Sequence, residues 1–141
     1  MKDLIIMSCS KTKKNIDIAP AIEMYDGQAY RTLKKNSPGN VRILIISAKY
    51  GLLRPLDVIS RYDQEMTVVK AIDLRKQVQE EVMKTTTRKN TERVFIYLGY
   101  PYNLAISNEL KNYLKLNFDV KVADGHIGER LHQMKEWLKV K

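Results

Sequence analysis

Four short runs of β-branched and aliphatic residues recur along the chain, and the segments between them carry apolar residues at helical spacing. Nearly continuous apolar runs of this length are typical of strands buried on both faces of a parallel sheet. They predict strands at residues 3–8, 41–47, 93–98 and 118–122. Strands that alternate with helices indicate a single α/β domain over residues 1–141, a three-layer sandwich around a mostly parallel four-stranded sheet.

The order of these strands follows from the handedness of their connections. Right-handed crossovers favour a doubly wound, Rossmann-like order, with the second strand beside the first and the third strand on the other side of the first. The loops after the first and third strands then flank the point where the strand order reverses. Open α/β sheets bind their ligands at this point, so the sequence predicts a site there.

Helices are predicted at residues 28–36, from the N-cap Thr67 to the threonine run 85–87, and at residues 104–114 and 127–138. Residues 15–26 leave two interpretations open: either Pro20 begins a helical turn, or the segment is an irregular lid. The sequence Ser-Pro-Gly-Asn at 37–40 predicts a turn. Residues 48–66 are predicted to form one long loop, and such a loop inside a compact domain is usually functional.

The composition is that of a soluble globular domain, with 44% hydrophobic and 29% charged residues. No apolar run approaches the roughly 18 residues that a membrane span needs, and the N-terminus lacks the features of a signal peptide. The single cysteine, Cys9, excludes an internal disulfide and fits a reducing compartment, so we expect a cytoplasmic protein. The net charge of +9 indicates either a polyanion partner such as tRNA or DNA or a lysine-rich solvated surface.

The first predicted strand ends in small hydroxyl residues followed by lysines. Ser10 and the neighbouring backbone amides are suited to cradling a phosphate or a sugar, with Lys11 and Lys13 as counter-charges. Cys9 is either a nucleophile activated by these lysines or a small buried residue of the loop. We favour the second interpretation, because no His, Asn or Asp arrangement in the chain supports thiol catalysis.

The second predicted strand runs into Ser47, Lys49, Tyr50 and Gly51. Gly51 permits a tight turn or the close approach of a ligand. Lys49 suits an anionic group, and Tyr50 offers a ring for stacking on a base. The alternative is a packed strand end in which Tyr50 covers the core. We expect the Lys49 amine and the loop at Cys9 to meet at one edge of the sheet.

Three other places supply candidates. Tyr62 and Asp63, near the end of the long loop, offer a ring and a carboxylate that can stabilise positive charge on a sugar or orient a water. Alternatively, Asp63 is an exposed aspartate that serves a turn or the start of a helix. The pair Tyr25-Asp26 has the same chemistry, and Tyr100 follows the third strand, where it is placed to line the pocket.

The last helix is preceded by glycines that leave backbone amides free for an anion. The residues concerned are Gly125 and Gly128, with Arg130 beside them. His126 and His132 are the only histidines, so they and Cys9 make no set of metal ligands. We expect neither a metal nor another cofactor.

Several of these motifs together resemble an uncharacterised family of small bacterial, archaeal and phage proteins. The family pattern has a Cys-Ser-x-x-Lys loop near the start, then Ser-x-Lys-Tyr-Gly-Leu-x-x-Pro, a Tyr-Asp pair, and Gly-x-Gly before a final Trp-Leu helix. The matching stretches here are residues 9–13, 47–55, 62–63 and 125–138, although Gly125 and Gly128 are more widely spaced than in the pattern.

The Cys-Ser-x-x-Lys loop is also similar to the Pro-Cys-Ser-x-x-Lys-Pro-Tyr signature of archaeosine synthase, a tRNA-modifying enzyme. That signature lies on a domain similar to the uracil-DNA-glycosylase fold. In this chain Met7 and Ser8 precede Cys9, and no Pro-Tyr follows the lysines. The resemblance implies an α/β pocket for a nucleobase or nucleoside, on a Rossmann-like or uracil-DNA-glycosylase-like fold.

Two functions of different class remain. The first is a nucleotide- or nucleic-acid-directed enzyme that acts at a glycosidic bond or a modified base. Its candidate catalytic residues are Asp63, Lys49 and Ser10, and its substrate-binding candidates are Cys9, Lys11, Lys13, Ser47, Tyr50, Gly51, Tyr62, Tyr100, Gly125, Gly128 and Arg130. The second is a non-catalytic nucleic-acid-binding module or subunit of a tRNA or DNA modification system. Phosphotransfer is disfavoured because the chain has no Gly-x-x-x-x-Gly-Lys-[Ser/Thr] loop.

Overall fold

The computed structural model describes residues 2–37 and 41–139, so residues 38–40 of the predicted turn lie outside it. The strands are β1 (Asp3–Ser8), β2 (Ile18–Pro20), β3 (Arg42–Ser47), β4 (Gly51–Leu53), β5 (Val58–Ser60), β6 (Arg93–Tyr97) and β7 (Asp119–Val122). The helices are α1 (Ala21–Met24), α2 (Gln28–Asn36), α3 (Val68–Asp73), α4 (Arg75–Thr85), α5 (Asn108–Asn117) and α6 (Ile127–Lys139), with a 3₁₀ helix at Tyr102–Ala105.

The main sheet has five strands in the order β4-β3-β1-β6-β7. β1 pairs in parallel with β3 on one side and with β6 on the other, and β7 pairs in parallel with β6. The predicted α/β class and the predicted places of the first three long strands are therefore confirmed. The predicted four-stranded sheet is wrong by one strand, because the chain turns back after β3 and adds β4 antiparallel to it.

The strand order reverses at β1, and this reversal positions the site. The chain moves from β1 to β3 in one direction across the sheet, then crosses back over β1 to β6. Right-handed crossovers place α2 and α4 on opposite faces. The contacts fit this arrangement, because α2 packs against α6 whereas α4 packs against α5. The carboxyl ends of β1 and β6 thus flank the reversal point.

The long segment after β3 contains structure that the sequence pattern did not reveal. β5 pairs antiparallel with β2 in a separate two-stranded ribbon, with Ile18 opposite Ser60. The start of α1 is tied to the same segment, since the Ala21 amide donates to the Asp57 carbonyl at 2.8 Å. Three-residue strands are too short to show an alternation of apolar and polar positions, which is why one loop was predicted. Of the two interpretations of residues 15–26, the helical turn after Pro20 is confirmed.

The predicted helices are present, but two of them are divided. Thr67 caps α3 as predicted, since its Oγ1 accepts a hydrogen bond from the Lys70 amide at 3.1 Å. The helix then bends at Leu74, whose N–H is shared between the carbonyls of Lys70 and Ala71. The apolar stripe continues through the bend, so Ala71, Leu74, Val78 and Val82 are all buried. Ser107 caps α5 and separates it from the 3₁₀ helix.

The reversal of the chain between β3 and β4 requires a glycine at position 51. Its φ of +76° lies in the left-handed region, and a Cβ added there would come within 2.5 Å of the Gln77 side-chain oxygen. We therefore expect Gly51→Ala to lower the free energy of unfolding by about 1–3 kcal/mol in urea titrations. Gly128→Ala is the matched control, because nothing lies within 4 Å of its added Cβ in α6. Equal unfolding midpoints for the two variants would contradict this assignment.

Candidate functional site

A cleft lies beyond the carboxyl ends of β1 and β6. One part of it has a volume of about 280 Å³ and an adjoining part about 510 Å³, and both parts are lined by Lys11, Lys13 and Asp63. The remaining lining residues are Cys9, Ser10, Arg61, Tyr62, Gln64, Glu65, Met66, Tyr100, Pro101 and Tyr102. The loops after the first and third long strands meet directly, since Cys9 Sγ and Tyr102 Oη are 3.2 Å apart.

The loop after β1 is held in place at both ends. The Cys9 amide donates to the Ile46 carbonyl at 2.9 Å, which continues the pairing of β1 with β3. Ser10 Oγ accepts from the Gly27 amide at 3.1 Å and donates to the Thr12 carbonyl. The hydroxyl proposed for catalysis is thus occupied by the loop and by the start of α2, although Ser10 lines the cleft as predicted.

Three hydroxyl groups form a cluster behind the cleft wall. Tyr25 Oη and Tyr62 Oη are 2.7 Å apart, and Ser47 Oγ is 2.9 Å from Tyr62 Oη. Ser47 Oγ also accepts from the amides of Lys49 and Tyr50. Burial raises the pKa of Tyr25 to about 12, and burial also raises the pKa of Tyr62. The cluster is therefore neutral at physiological pH and fixes the Tyr62 ring.

Two lysine ammonium groups lie over the Tyr62 ring. Lys13 Nζ lies 4.4 Å from the ring centroid and Lys49 Nζ lies 5.9 Å from it. At such distances an aromatic face attracts a cation. The expected meeting of the Cys9 loop and the Lys49 amine is therefore observed, because both loops converge on one ring. Lys49 itself is exposed and is not among the residues that line the cleft.

Lys13 differs in its surroundings from Lys11, the other lysine that lines the cleft. It is partly buried, whereas Lys11 is exposed. Burial lowers the pKa of Lys13, and the nearby Cys9 and Asp63 oppose that change. Its ammonium donates to the Lys11 carbonyl at 3.3 Å, and within the described residues it forms no ion pair. A less hydrated ammonium with a lowered pKa is a better proton donor than an ordinary lysine.

The cleft is also lined by a carboxylate and an exposed ring. Asp63 is exposed and close enough to Lys13 to affect its pKa. Tyr100 is 74% exposed, which is unusual for a large aromatic side chain in a cleft and leaves its ring open to a ligand. Arg61 lines the wider part, and its Nη1 donates to Asn15 Oδ1 at 2.8 Å.

Three of the predicted binding residues lie away from the cleft surface, which corrects their assignment. Ser47 is fully buried beneath Tyr62 and cannot contact a ligand in this arrangement. Gly51 is buried against Gln77 in the hairpin. Tyr50 packs edge-on against Tyr62, with ring centroids 5.4 Å apart, and its hydroxyl donates to the Ser60 carbonyl at 3.1 Å. Tyr50 therefore covers the core, which was the alternative interpretation.

The start of α6 is also separate from the cleft, since Gly125, Gly128 and Arg130 are not among the residues that line it. The Glu129 carboxylate accepts from the His126 amide at 3.1 Å and occupies the place that an anion would take. Gly125, with φ of +87°, and Gly128 shape this turn. Arg130 donates to the carbonyls of Gly125 and Leu98 and lines a different cavity.

Two tyrosines make contacts at the cleft that the sequence did not predict. The sequence paired Tyr25 with Asp26, but Asp26 is engaged by Arg31, whereas Tyr25 is hydrogen-bonded to Tyr62 behind the cleft wall. Tyr102 follows β6 in the same segment as Tyr100, and the sequence alone did not predict its contact with Cys9. The available signal was the group of tyrosines at the end of β6 and in the segment that follows it, at positions 97, 100 and 102.

Two features are absent from the part of the chain that the structure describes. No group of three or more His, Cys, Asp or Glu residues within residues 2–37 and 41–139 is arranged to hold a metal ion. Over the same ranges, every helix is too short or too polar to cross a lipid bilayer.

One known protein family matches nearly the whole chain. A family model matches residues 4–136. The chain belongs to the Family of unknown function (DUF6884). No curated protein matches the sequence. The family description names no activity, so any function of this member must be argued from the cleft itself.

The neutral tyrosine cluster predicts a loss of stability at alkaline pH. The pKa of Tyr25 is about 12 in the folded protein and 10.0 ordinarily, so the folded state retains a proton that the unfolded state releases. The stabilisation is complete below pH 10 and is lost as pH rises through 12. Urea unfolding from pH 8 to 12 should show this loss, and Tyr25→Phe should show a shallower one. Parallel pH profiles for the two proteins would contradict the assignment.

Proposed function

We propose that the protein is an enzyme that acts on nucleotides or nucleic acid, at a glycosidic bond or a modified base. One observation carries the proposal: the exposed Asp63 carboxylate and the partly buried Lys13 ammonium line the same cleft at the reversal point of the sheet. A carboxylate and an ammonium with different surroundings are suited to accept and donate protons in one reaction.

Cations and an exposed ring give the cleft the chemistry of a nucleotide site. Lys11 and Arg61 line it and are exposed, so they are available to phosphate oxygens. Tyr100 offers a free ring face to a base. The net charge of +9 favours a polyanionic substrate over a single nucleoside. The proposed substrate is therefore a nucleic acid or a phosphorylated nucleoside.

In the hydrolysis of an N-glycosidic bond, Asp63 and Lys13 would have different roles. The bond between the sugar C1′ and the base nitrogen breaks, while a water oxygen bonds to C1′. Asp63 stabilises the positive charge that develops on the sugar and takes the proton of the water. Lys13 gives a proton to the departing base. Transfer of the proton from Asp63 to the Lys13 amine then restores both groups.

We also propose that the domain has a Rossmann-like or uracil-DNA-glycosylase-like fold. Strand order around β1 supports a doubly wound, Rossmann-like arrangement. A uracil-DNA-glycosylase-like fold and the relation to archaeosine synthase rest on the Cys-Ser-x-x-Lys motif, whose Cys9 and Lys13 both line the cleft.

The proposal is tested by incubating the protein with nucleosides, nucleotides, tRNA and DNA and measuring released base by chromatography. We expect release from a phosphate-bearing substrate and none from free nucleosides. Binding without turnover, with an affinity that falls steeply as salt rises, would instead support the non-catalytic module. If the protein neither bound any of these substrates nor released base from them, both functions would be excluded.

A further inference from the structure

A second cavity lies on the other side of the segment that follows β6. Its volume is about 290 Å³. Leu98 and Asn103 line it, whereas three of the residues between them, Tyr100, Pro101 and Tyr102, line the cleft. The two cavities are thus separated by a single stretch of chain, and the second one lies between α5 and the β6–β7 edge of the sheet.

The floor of this cavity is aliphatic. Ile96 and Val122 are partners in the pairing of β6 with β7, and both line the cavity together with Val120 and Leu114. Val122 remains 47% exposed although it lies in a strand. Apolar surface of the edge strand is therefore left uncovered in this cavity, and covering it with an apolar group would be favourable.

Three cations surround this aliphatic floor. Lys111 and Lys115 are one helical turn apart on α5, and Arg130 reaches the cavity from α6. Like charges at this spacing repel each other. Within the described residues neither lysine forms an ion pair. The Arg130 guanidinium is held by the carbonyls of Gly125 at 2.8 Å and Leu98 at 3.3 Å, so its charge is fixed there.

We propose that this cavity binds an organic anion with an apolar body, such as an aromatic or aliphatic carboxylate. The apolar body would cover Ile96, Val120 and Val122, and the carboxylate would lie between the two lysines and Arg130. An anion there relieves the repulsion between Lys111 and Lys115. No aromatic side chain lines the cavity, which distinguishes it from the cleft and disfavours a nucleobase. This site is independent of the function proposed for the cleft.

The test is a nuclear magnetic resonance titration of the ¹⁵N-labelled full chain with 2-naphthoate, octanoate and the neutral 2-naphthylmethanol. We expect saturable shifts of the amides of β7 and α5 with one or both carboxylates, and their relative affinities show whether the preferred body is aromatic or aliphatic. The neutral alcohol should bind about tenfold more weakly than 2-naphthoate, because it lacks the charge-assisted contacts.

A double variant and a matched control decide the role of the charges. Lys111→Ala with Lys115→Ala should weaken carboxylate binding by at least about tenfold. The control is Lys121→Ala with Lys135→Ala, which removes the same charge from exposed residues that do not line the cavity. Circular dichroism and the thermal midpoint check that both variants fold. Equal affinities in the two double variants, or shifts confined to other parts of the chain, would overturn the proposal.

Discussion

Replacement of Asp63 by asparagine is expected to abolish most of the activity, with a fall in kcat of about 10²–10⁴-fold and little change in substrate affinity. The amide keeps the size of the side chain but cannot accept a proton or stabilise a positive sugar. Asp63 is exposed and no hydrogen bond or ion pair among the described residues depends on it, so folding should be unaffected. Base release under single-turnover conditions measures the effect.

Asp73→Asn provides the control for this experiment. Asp73 is an exposed aspartate of α3 that does not line the cleft, so the same change of charge should leave kcat within about twofold. If both variants retained full activity, the carboxylate would have no catalytic role. A fall in substrate affinity with unchanged kcat would assign Asp63 to binding only.

The largest expected effect on stability comes from Asp3. Its carboxylate accepts from Arg93 Nε at 3.0 Å and from Nη2 at 2.6 Å, with the two side chains only 9% and 16% exposed. Arg93 also donates to the Trp137 carbonyl and lies 4.1 Å from the Trp137 ring centroid, which joins β1, β6 and α6. Asp3→Ala leaves this guanidinium without its carboxylate, so we expect a loss of about 3–5 kcal/mol in the free energy of unfolding.

Lys2→Ala is the comparison for Asp3→Ala in urea unfolding. Lys2 Nζ lies 3.5 Å from Glu92, but these side chains are 47% and 67% exposed. Exposed pairs contribute about 0–1 kcal/mol because water screens them. A similar loss in both variants would show that burial of the Asp3–Arg93 pair does not determine its contribution.

Much of the sheet could be predicted because its central strands are buried on both faces. All of β1 except Ser8 and all of β6 except Arg93 are buried, and such strands are nearly continuous apolar runs in the sequence. Strands β2, β4 and β5 are three residues long and lie at an edge or in the separate ribbon. Their pairing depends on the tight turn at Gly51 and on contacts between residues 18–20 and 58–60, which no local pattern encodes.

The site was predictable where side chains follow the carboxyl ends of strands. Strand position alone brought Cys9, Lys13 and Tyr100 to one cleft. The sequence could not show which hydroxyl and amine groups are already engaged in contacts within the folded protein. Ser47 and Tyr50 have the residue types of a binding site, yet both are used in packing and local hydrogen bonds. Tyr25 lies 37 residues from its partner Tyr62, so their contact emerges only in the folded chain.

We propose that a phosphate-bearing nucleobase substrate binds in the cleft beyond β1 and β6. A crystal structure of the Asp63→Asn variant with a single-stranded deoxyoligonucleotide tests it most directly. We expect a phosphate oxygen within hydrogen-bond distance of Lys11 or Arg61, a base against the Tyr100 ring, and a sugar C1′ beside residue 63. An oligonucleotide bound on another surface, with the cleft unoccupied, would contradict the claim.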